Sequence, residues 1–270
     1  LSTEELSWFN GLGGFSQDGK EYVTVLKGEN NTPAPWVNVV ANDNFGFLVS
    51  TSGSGYTWSV NSRENKITRW SNDPVVDIPS EVIYIRDEAT GEFFCPTPAP
   101  IRGKEPYRIK HGFGYSVFEH NSHGLVQNLA VFVSGRDPVK IYRLSLQNKL
   151  SEPRDLSLFF YVEWVMGVSR ETTAPYIVVH MDRNSNLLTA VNPYNTEFKD
   201  RVAFMSTSER IGSYTGDKGE FIGPEGSLEM PAGLRYHGLS DREGAALDPC
   251  GVIKVNITLQ PGEHRDTVFI

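Results

Sequence analysis

Cysteine is scarce in this 270-residue chain, which contains only Cys95 and Cys250. Two cysteines could form a single disulfide, but they cannot supply the several bridges that hold together a small secreted domain. The N-terminal segment carries Glu4 and Glu5 and lacks the apolar stretch of a signal peptide. These features indicate a reducing compartment, and we expect a cytoplasmic protein.

Excess positive charge and long apolar segments are also missing. The chain has 25 Lys and Arg residues against 33 Asp and Glu residues, which gives a formal net charge of -8. A surface that binds nucleic acid or an anionic membrane needs a basic patch, so we expect neither partner for this domain. No apolar run approaches the length of a membrane span. The motifs of serine nucleophile elbows and phosphate-binding loops are absent as well.

The composition instead favours an all-β protein with many turns. Aromatic residues make up 11% of the chain, which also contains 25 Gly and 16 Pro. Short apolar segments recur along the sequence and are separated by hairpin-type turns such as residues 87–91 and 182–186. Sustained helical periodicity and internal repeats are not found. We therefore predict a single domain over residues 1–270, built as a large antiparallel β-sandwich.

The clearest single strand covers residues 156–165. Its apolar residues alternate and end at Trp164, so we predict that Trp164 belongs to the core, whereas the opposite face is aromatic but mixed. We expect this strand to pair with residues 139–146 across the loop 147–155. The segment 212–248 is rich in glycine and charge, and its sequence does not decide between a short helix and loops. The core face consists of Leu156, Leu158, Phe160, Val162 and Trp164.

The stretch 53–74 combines aromatic and polar residues in a way that suits sugar recognition. Tyr56 and Trp58 alternate as in a strand, a polar cluster follows at residues 61–65, and Trp70 precedes a turn. Flat aromatic faces beside amide and guanidinium groups can stack on a sugar ring and bond its hydroxyls in pairs. The alternative is a solvated hairpin whose aromatic side chains pack in the core, because buried Trp and Tyr are ordinary core residues.

A histidine-rich segment at residues 111–123 invites a metal or acid–base interpretation. His120 and His123 differ by three positions, which places them on opposite faces of a strand unless a turn intervenes. A pairing of Glu119 with a histidine could perform acid–base chemistry on a sugar, but sequence alone does not bring them together. We favour strand and turn residues bonded to the backbone, and we predict no metal site.

Several motifs together resemble glycoside hydrolase family 94, the inverting phosphorylases once classed as glycosyltransferase family 36. Within that family the chain is most similar to the phosphorylase module of cyclic β-1,2-glucan synthases and to β-1,2-oligoglucan phosphorylases. The resemblance covers almost the whole chain, with its motifs in the expected order. They are WFNGLGGF (8–15), TPAPWVNV (32–39), GSGYTWSVNSRENKITRWSNDP (53–74), YIRD (84–87), HGFGY (111–115) and YVEW (161–164).

The resemblance implies a galactose mutarotase-like β-super-sandwich joined to an (α/α)6 barrel that carries the general acid and the phosphate site. No residue of this chain matches the catalytic acid, so we assign no catalytic residue and expect the isolated chain to be inactive. The chain begins at Leu1 rather than Met and stops inside an apparent strand, so we expect it to be part of a longer polypeptide.

The family's sandwich would support the barrel, help to form a homodimer and lend a loop to the sugar site. The loop residues that this implies as substrate-binding are Arg63, Glu64, Asn65 and Trp70. The expected ligand is a β-glucan oligosaccharide, with inorganic phosphate as co-substrate of the full-length enzyme and no other cofactor. A cyclic glucan synthase could be anchored in a membrane outside this domain. Two alternatives stay open: a stand-alone carbohydrate-binding module, and a mutarotase-like epimerase that uses a His/Glu pair.

Overall fold

The computed structural model describes residues 6–270, which form an almost entirely β structure. Two short helices, α1 (Arg170–Thr173) and α2 (Lys218–Ile222), and two 3-10 turns, Ala174–Tyr176 and Ala232–Arg235, interrupt the strands. The strands in chain order are β1 (Gly13–Phe15), β2 (Glu21–Leu26), β3 (Val37–Ala41), β4 (Phe45–Ser50), β5 (Gly55–Ser59), β6 (Lys66–Thr68), β7 (Glu81–Asp87), β8 (Phe93–Phe94), β9 (Tyr107–Gly112), β10 (Tyr115–Ser122), β11 (Leu125–Val133), β12 (Lys140–Asn148), β13 (Arg154–Gly167), β14 (Val178–Asp182), β15 (Leu187–Val191), β16 (Val202–Met205), β17 (Ser213–Asp217), β18 (Pro249–Leu259) and β19 (His264–Phe269).

The strands are arranged in two large antiparallel sheets and one small sheet. The first sheet has the order β1-β2-β9-β10-β11-β12-β19, and the second has the order β17-β18-β13-β6-β5-β4-β3. Strand β7 joins the second sheet through β13 and carries β8, while β14, β15 and β16 form the small sheet. Apolar residues from both large sheets share one core, which includes Leu144 of the first sheet and Leu158 of the second. The predicted all-β antiparallel sandwich is confirmed.

Strand β13 is the central strand of the second sheet. Residues 154–163 pair with β18, residues 156–162 also pair with β7 on the other side, and Trp164 and Gly167 pair with β6. The predicted alternation is confirmed, because the apolar face lies in the core and Trp164 is only 2% exposed. The opposite face is buried as well, since Phe159 and Tyr161 pack against Phe221 of α2. Both faces of β13 are therefore covered, which explains its aromatic and β-branched composition.

The expected pairing of residues 139–146 with 156–165 is wrong. Strand β12 pairs with β11 and β19 in the first sheet, whereas β13 lies in the second sheet. The connection between them crosses from one sheet to the other instead of closing a hairpin. Asn148 fixes this crossing, because its buried amide nitrogen donates to the carbonyl oxygens of Glu152 at 2.8 Å and Leu259 at 3.2 Å.

The turns follow local side-chain chemistry. Both predicted hairpins form, and Asp87 shapes the first by accepting hydrogen bonds from the backbone of Ala89 and Thr90. The undecided segment 212–248 contains β17, α2 and the second 3-10 turn, with the side chain of Asp217 capping α2 through the Gly219 nitrogen at 3.0 Å.

Both cysteines, Cys95 and Cys250, are free and buried. They lie in the apolar cluster beneath α2, on the outer face of the second sheet.

Among residues 6–270, no helix is long and apolar enough to cross a membrane.

Candidate functional site

The candidate site is built around the loop 60–65 between β5 and β6. Asn61 shapes this loop, because its side-chain oxygen accepts hydrogen bonds from the backbone nitrogens of Arg63 and Glu64, both at 2.9 Å. The backbone nitrogen of Asn65 also donates to the Asn61 carbonyl. The polar residues of the motif therefore form a compact, internally bonded loop.

Backbone strain occurs at two points near this loop. Val60 adopts a φ of 66° and Met166 a φ of 48°, in the left-handed region that β-branched residues in particular disfavour. The two residues belong to neighbouring strand ends, because Lys66 pairs with Gly167 and its Nζ donates to the Val168 carbonyl at 2.8 Å. Such strain costs of order 1–3 kcal/mol per residue and clusters at functional sites. We call this end of the second sheet the β5–β6 rim, comprising the loop 60–65, residues 166–176 and the loop 192–201.

The four predicted sugar-site residues occupy different environments. The side chain of Arg63 is 84% exposed, and its Nε lies 3.4 Å from Oε1 of Glu64. Trp70 is 40% exposed. Asn65, in contrast, is only 3% exposed and donates its amide to the Ser59 carbonyl at 3.0 Å. The expectation that Asn65 offers its amide to solvent is therefore wrong; its side chain closes the loop instead.

An aromatic stack connects Trp70 to the loop. The Trp70 ring lies 5.0 Å from the Tyr56 ring at an interplanar angle of 17°, and Trp58 flanks Tyr56 at 5.3 Å. The Tyr56 hydroxyl donates to the Ser62 carbonyl at 3.3 Å. Burial raises the pKa of Tyr56, so its hydroxyl remains a donor. Trp70 thus presents one partly exposed aromatic face on a support that is bonded to the polar loop.

A buried carboxylate, which the sequence-based prediction did not include, anchors α1 of the rim to the second sheet. Oε1 of Glu163 lies 2.9 Å from both the Nε of Arg170 and the Nζ of Lys218, and Arg69 approaches Oε2 at 4.0 Å. Arg170 also forms an ion pair with Asp248. The sequence contained one indication of this cluster, which is the single acidic residue inside the apolar motif YVEW. A charge buried among apolar residues needs charged or hydrogen-bonding partners.

A second buried charged cluster lies between the two large sheets. Glu81 accepts hydrogen bonds from Thr57 at 2.6 Å and Thr68 at 2.5 Å, and it also binds Lys140 and Tyr142. Burial by itself would raise the pKa of Glu81, but the Lys140 charge and these hydrogen bonds lower it. The carboxylate thus has four donors from the protein itself, which indicates a structural role.

An apolar cavity of about 150 Å³ adjoins this cluster. It adjoins the rim and is lined in part by buried residues of β13, among them Phe160, Trp164 and Met166. Residues of the rim loops line it as well, namely Asn65 of the loop 60–65 and Asn192, Phe198 and Arg201 of the loop 192–201.

The histidine-rich segment does not assemble a catalytic pair. His111 bonds Ser116 through Nδ1 at 2.9 Å, His120 stacks on Tyr107 at 3.8 Å, and Glu119 pairs with Lys110 at 2.7 Å. Glu119 and His120 are adjacent in β10 and point to opposite faces. The described residues 6–270 contain no group of three or more His, Cys, Asp or Glu side chains that could hold a metal ion.

Comparison with known proteins adds a family relationship to this geometry. A sequence profile for the glycosyl hydrolase 94 supersandwich domain matches residues 20–270. The chain is 37% identical over 274 residues to the cyclic β-(1,2)-glucan synthase NdvB of Rhizobium meliloti (strain 1021), covering 100% of this chain and 10% of that protein. It is 25% identical over 258 residues to the N,N'-diacetylchitobiose phosphorylase of Vibrio furnissii, covering 93% of this chain and 32% of that protein. The chain thus spans a third or less of the length of these relatives.

Proposed function

The chain belongs to the glycosyl hydrolase 94 supersandwich family, and we propose that it is the non-catalytic sandwich domain of an inverting phosphorylase or cyclic glucan synthase acting on β-linked glucans. The observation that carries this proposal is the match of the whole chain, at 37% identity, to a cyclic β-(1,2)-glucan synthase. In this proposal an (α/α)6 barrel in the same polypeptide carries the catalytic residues, and residues 1–270 form one domain that supports it.

The proposed reaction is phosphorolysis with inversion. A phosphate oxygen attacks the anomeric carbon from the face opposite the glycosidic oxygen, and the glycosidic C–O bond breaks. A carboxylic acid of the barrel protonates the departing oxygen, which leaves as the hydroxyl of the shortened glucan. The products are glucose 1-phosphate and a glucan one unit shorter. Inorganic phosphate is the co-substrate, and no further cofactor is part of the proposal.

The loop 60–65 of the β5–β6 rim, together with the neighbouring Trp70, supplies sugar contacts to that reaction. Arg63 projects into solvent and can donate paired hydrogen bonds to neighbouring hydroxyls, with Glu64 beside it as an acceptor. Trp70 offers a partly exposed ring for stacking. Asn65 contributes indirectly, because its side-chain amide donates a hydrogen bond to the carbonyl oxygen of Ser59 and so fixes the conformation of the loop.

The partners that fit this role are a β-glucan oligosaccharide, the barrel of the same polypeptide and a second copy of the chain in a homodimer. The proposed location of the domain is the cytoplasm. If the full-length protein is a cyclic glucan synthase, its membrane anchor lies outside this domain.

A linkage panel tests the proposed function. The full-length protein is incubated with phosphate and with β-1,2-, β-1,3- or β-1,4-linked glucose tetrasaccharides, and released glucose 1-phosphate is measured. We expect release of glucose 1-phosphate from the β-1,2-linked tetrasaccharide. The glucose 1-phosphate should be the α-anomer, because inversion converts the β-linkage into an α-phosphate. Lack of release from every member of the panel would contradict the proposal.

A further inference from the structure

Two exposed tyrosines form a second aromatic platform on the β5–β6 rim. Tyr176 ends the 3-10 turn that follows α1, and Tyr194 lies in the loop between β15 and β16. Their rings are parallel, with centroids 4.0 Å apart and an interplanar angle of 11°. Tyr194 is 67% exposed, and neither phenol hydroxyl has a hydrogen-bond partner within residues 6–270.

The platform is held in place by buried polar contacts. The side-chain oxygen of Asn192 accepts a hydrogen bond from the backbone nitrogen of Tyr194 at 3.2 Å. The buried amide nitrogen of Asn192 donates to the carbonyl of Met166 at 3.0 Å, and Asn195 approaches the same carbonyl at 3.4 Å. Pro175 stiffens the turn that carries Tyr176. A rigid aromatic surface loses little conformational entropy when a ligand binds.

The platform and the loop 60–65 lie at the same end of the second sheet. Met166, to which Asn192 bonds, precedes Gly167, and Gly167 pairs with Lys66 at the first position of β6. Lys66 also bonds the carbonyl of Val168 through its Nζ. One continuous set of contacts thus joins the loop that carries Tyr194 to the loop that carries Arg63.

The surroundings of the platform favour a sugar over an apolar protein partner. The loop around Tyr194 exposes charged residues of both signs, namely Glu197, Lys199, Asp200 and Arg201. The cores of protein interfaces are depleted of charged residues, whereas small-molecule sites combine an apolar face with a few polar groups. A pyranose ring matches this pattern, because its C–H face can lie on the phenol while its hydroxyls meet the polar edge.

We propose that Tyr194, supported from beneath by Tyr176, is a stacking subsite for a glucose unit of the β-glucan chain, separate from the loop 60–65. This inference rests on the proposed function of the rim. It predicts that the domain contacts the glucan at more than one glucose unit. Long oligosaccharides then gain affinity from Tyr194, while the shortest substrate does not reach it.

Binding and kinetics of the full-length protein test the subsite. Titration calorimetry with the β-1,2-linked tetrasaccharide and disaccharide compares wild type with Tyr194→Ala, Tyr194→Phe and Tyr236→Ala. Tyr236 is a matched control, since it is 61% exposed and follows the other 3-10 turn. We expect Tyr194→Ala to weaken tetrasaccharide binding about two- to tenfold, the range of an aromatic contact, and to raise its KM similarly.

The remaining outcomes are also decisive. Tyr194→Phe should keep most of the affinity, because the ring remains, and both the disaccharide affinity and the KM for phosphate should stay at the wild-type values. Tetrasaccharide binding by Tyr194→Ala equal to that of Tyr236→Ala would overturn the subsite. If Tyr194→Ala unfolds, Tyr194→Leu replaces it, since leucine keeps apolar volume without a flat ring. Absence of glucose 1-phosphate release by wild type would contradict the proposed function, whereas the calorimetry would still decide the subsite.

Discussion

The ring of Trp70 lies nearly parallel to the ring of Tyr56, with centroids 5.0 Å apart and planes inclined by 17°. Tyr56 is buried and bonds the loop carbonyl of Ser62, whereas Trp70 keeps 40% of its surface exposed. One aromatic residue therefore belongs to the packed sheet and the other faces solvent. A buried aromatic residue and a solvent-facing one thus stand side by side within a single motif.

Replacing Trp70 with Ala should impair sugar use without unfolding the protein. The ring is partly exposed, so its loss opens no core cavity, and we expect the melting temperature to fall by only about 2–4 °C. In the full-length enzyme the KM for β-1,2-linked oligosaccharide should rise, because a stacking surface is lost. Steady-state kinetics and thermal melting of the same preparations check both parts.

Tyr56→Ala is the matched control for this experiment. It removes a buried ring of the same stack and should lower the melting temperature much more than Trp70→Ala does. A Trp70→Ala enzyme that unfolds, or that retains wild-type kinetics, would refute the assignment of Trp70 to the sugar site.

Trp164→Ala should destabilise the isolated chain by about 3–5 kcal/mol, because the variant leaves a large cavity in a close-packed core. Trp164 lies at the end of the apolar face of β13 and is 2% exposed. Chemical denaturation provides the measurement, and Trp70→Ala is a suitable comparison for a partly exposed tryptophan. A loss below about 1 kcal/mol would be incompatible with a packed Trp164.

The Glu81–Lys140 pair should behave as a buried structural ion pair. Glu81→Gln leaves the Lys140 ammonium without a counter-charge, and we expect a loss of about 3–5 kcal/mol in unfolding free energy. The double variant Glu81→Leu/Lys140→Leu should recover a large part of that loss, since neither partner is then left charged in the core. The single variants Glu81→Leu and Lys140→Leu are measured as well. A loss of stability in the double variant equal to the sum of the two single losses would contradict a coupled ion pair.

His111 should make stability depend on pH in the acidic range. Burial lowers the pKa of His111 to about 4 in the folded chain, compared with 6.5 when it is exposed. The unfolded chain therefore takes up a proton first as the pH falls, so the contribution to stability is complete above about pH 6.5 and declines towards pH 4. The decline amounts to about 3 kcal/mol at most.

His111→Gln should reduce the fall in melting temperature between pH 6.5 and pH 4.5. His237→Gln, which replaces an exposed histidine, serves as the control and should follow the wild-type profile. Superimposable profiles of wild type and His111→Gln would show that His111 does not titrate in this way.

Local patterns in the sequence predicted local features of the fold. The alternation that ends at Trp164 predicted a core face, and the acidic turn at residues 87–91 predicted a hairpin, because both depend on neighbouring residues only. The partner of β13 depends on which strands lie beside it in the sheet. Residues 139–146 have the right composition to pair with it, yet the crossing at Asn148 places them in the other sheet.

The candidate site shows the same limit. Arg63, Glu64 and Trp70 could be proposed from a family motif, and the structure places Arg63 and Trp70 in contact with solvent, but the burial of Asn65 follows from its bond to Ser59. The partners of Glu163 come from positions as distant as Arg69 and Lys218. The Tyr176–Tyr194 platform likewise joins two segments by a ring contact, and the bond of Asn192 to Met166 of β13, not any spacing in the sequence, places the loop of Tyr194 there.

The proposed division of roles between this domain and the barrel is tested by the release of glucose 1-phosphate from β-1,2-linked glucotetraose and inorganic phosphate, measured in parallel for the isolated 270-residue chain and for the full-length protein. In the proposal this domain supplies sugar contacts, and the barrel carries the acid and the phosphate site. We therefore expect sustained release by the full-length protein and none above background by the isolated chain. Turnover by the isolated chain at the rate of the full-length protein would show that the catalytic groups lie within residues 1–270, contrary to the proposal.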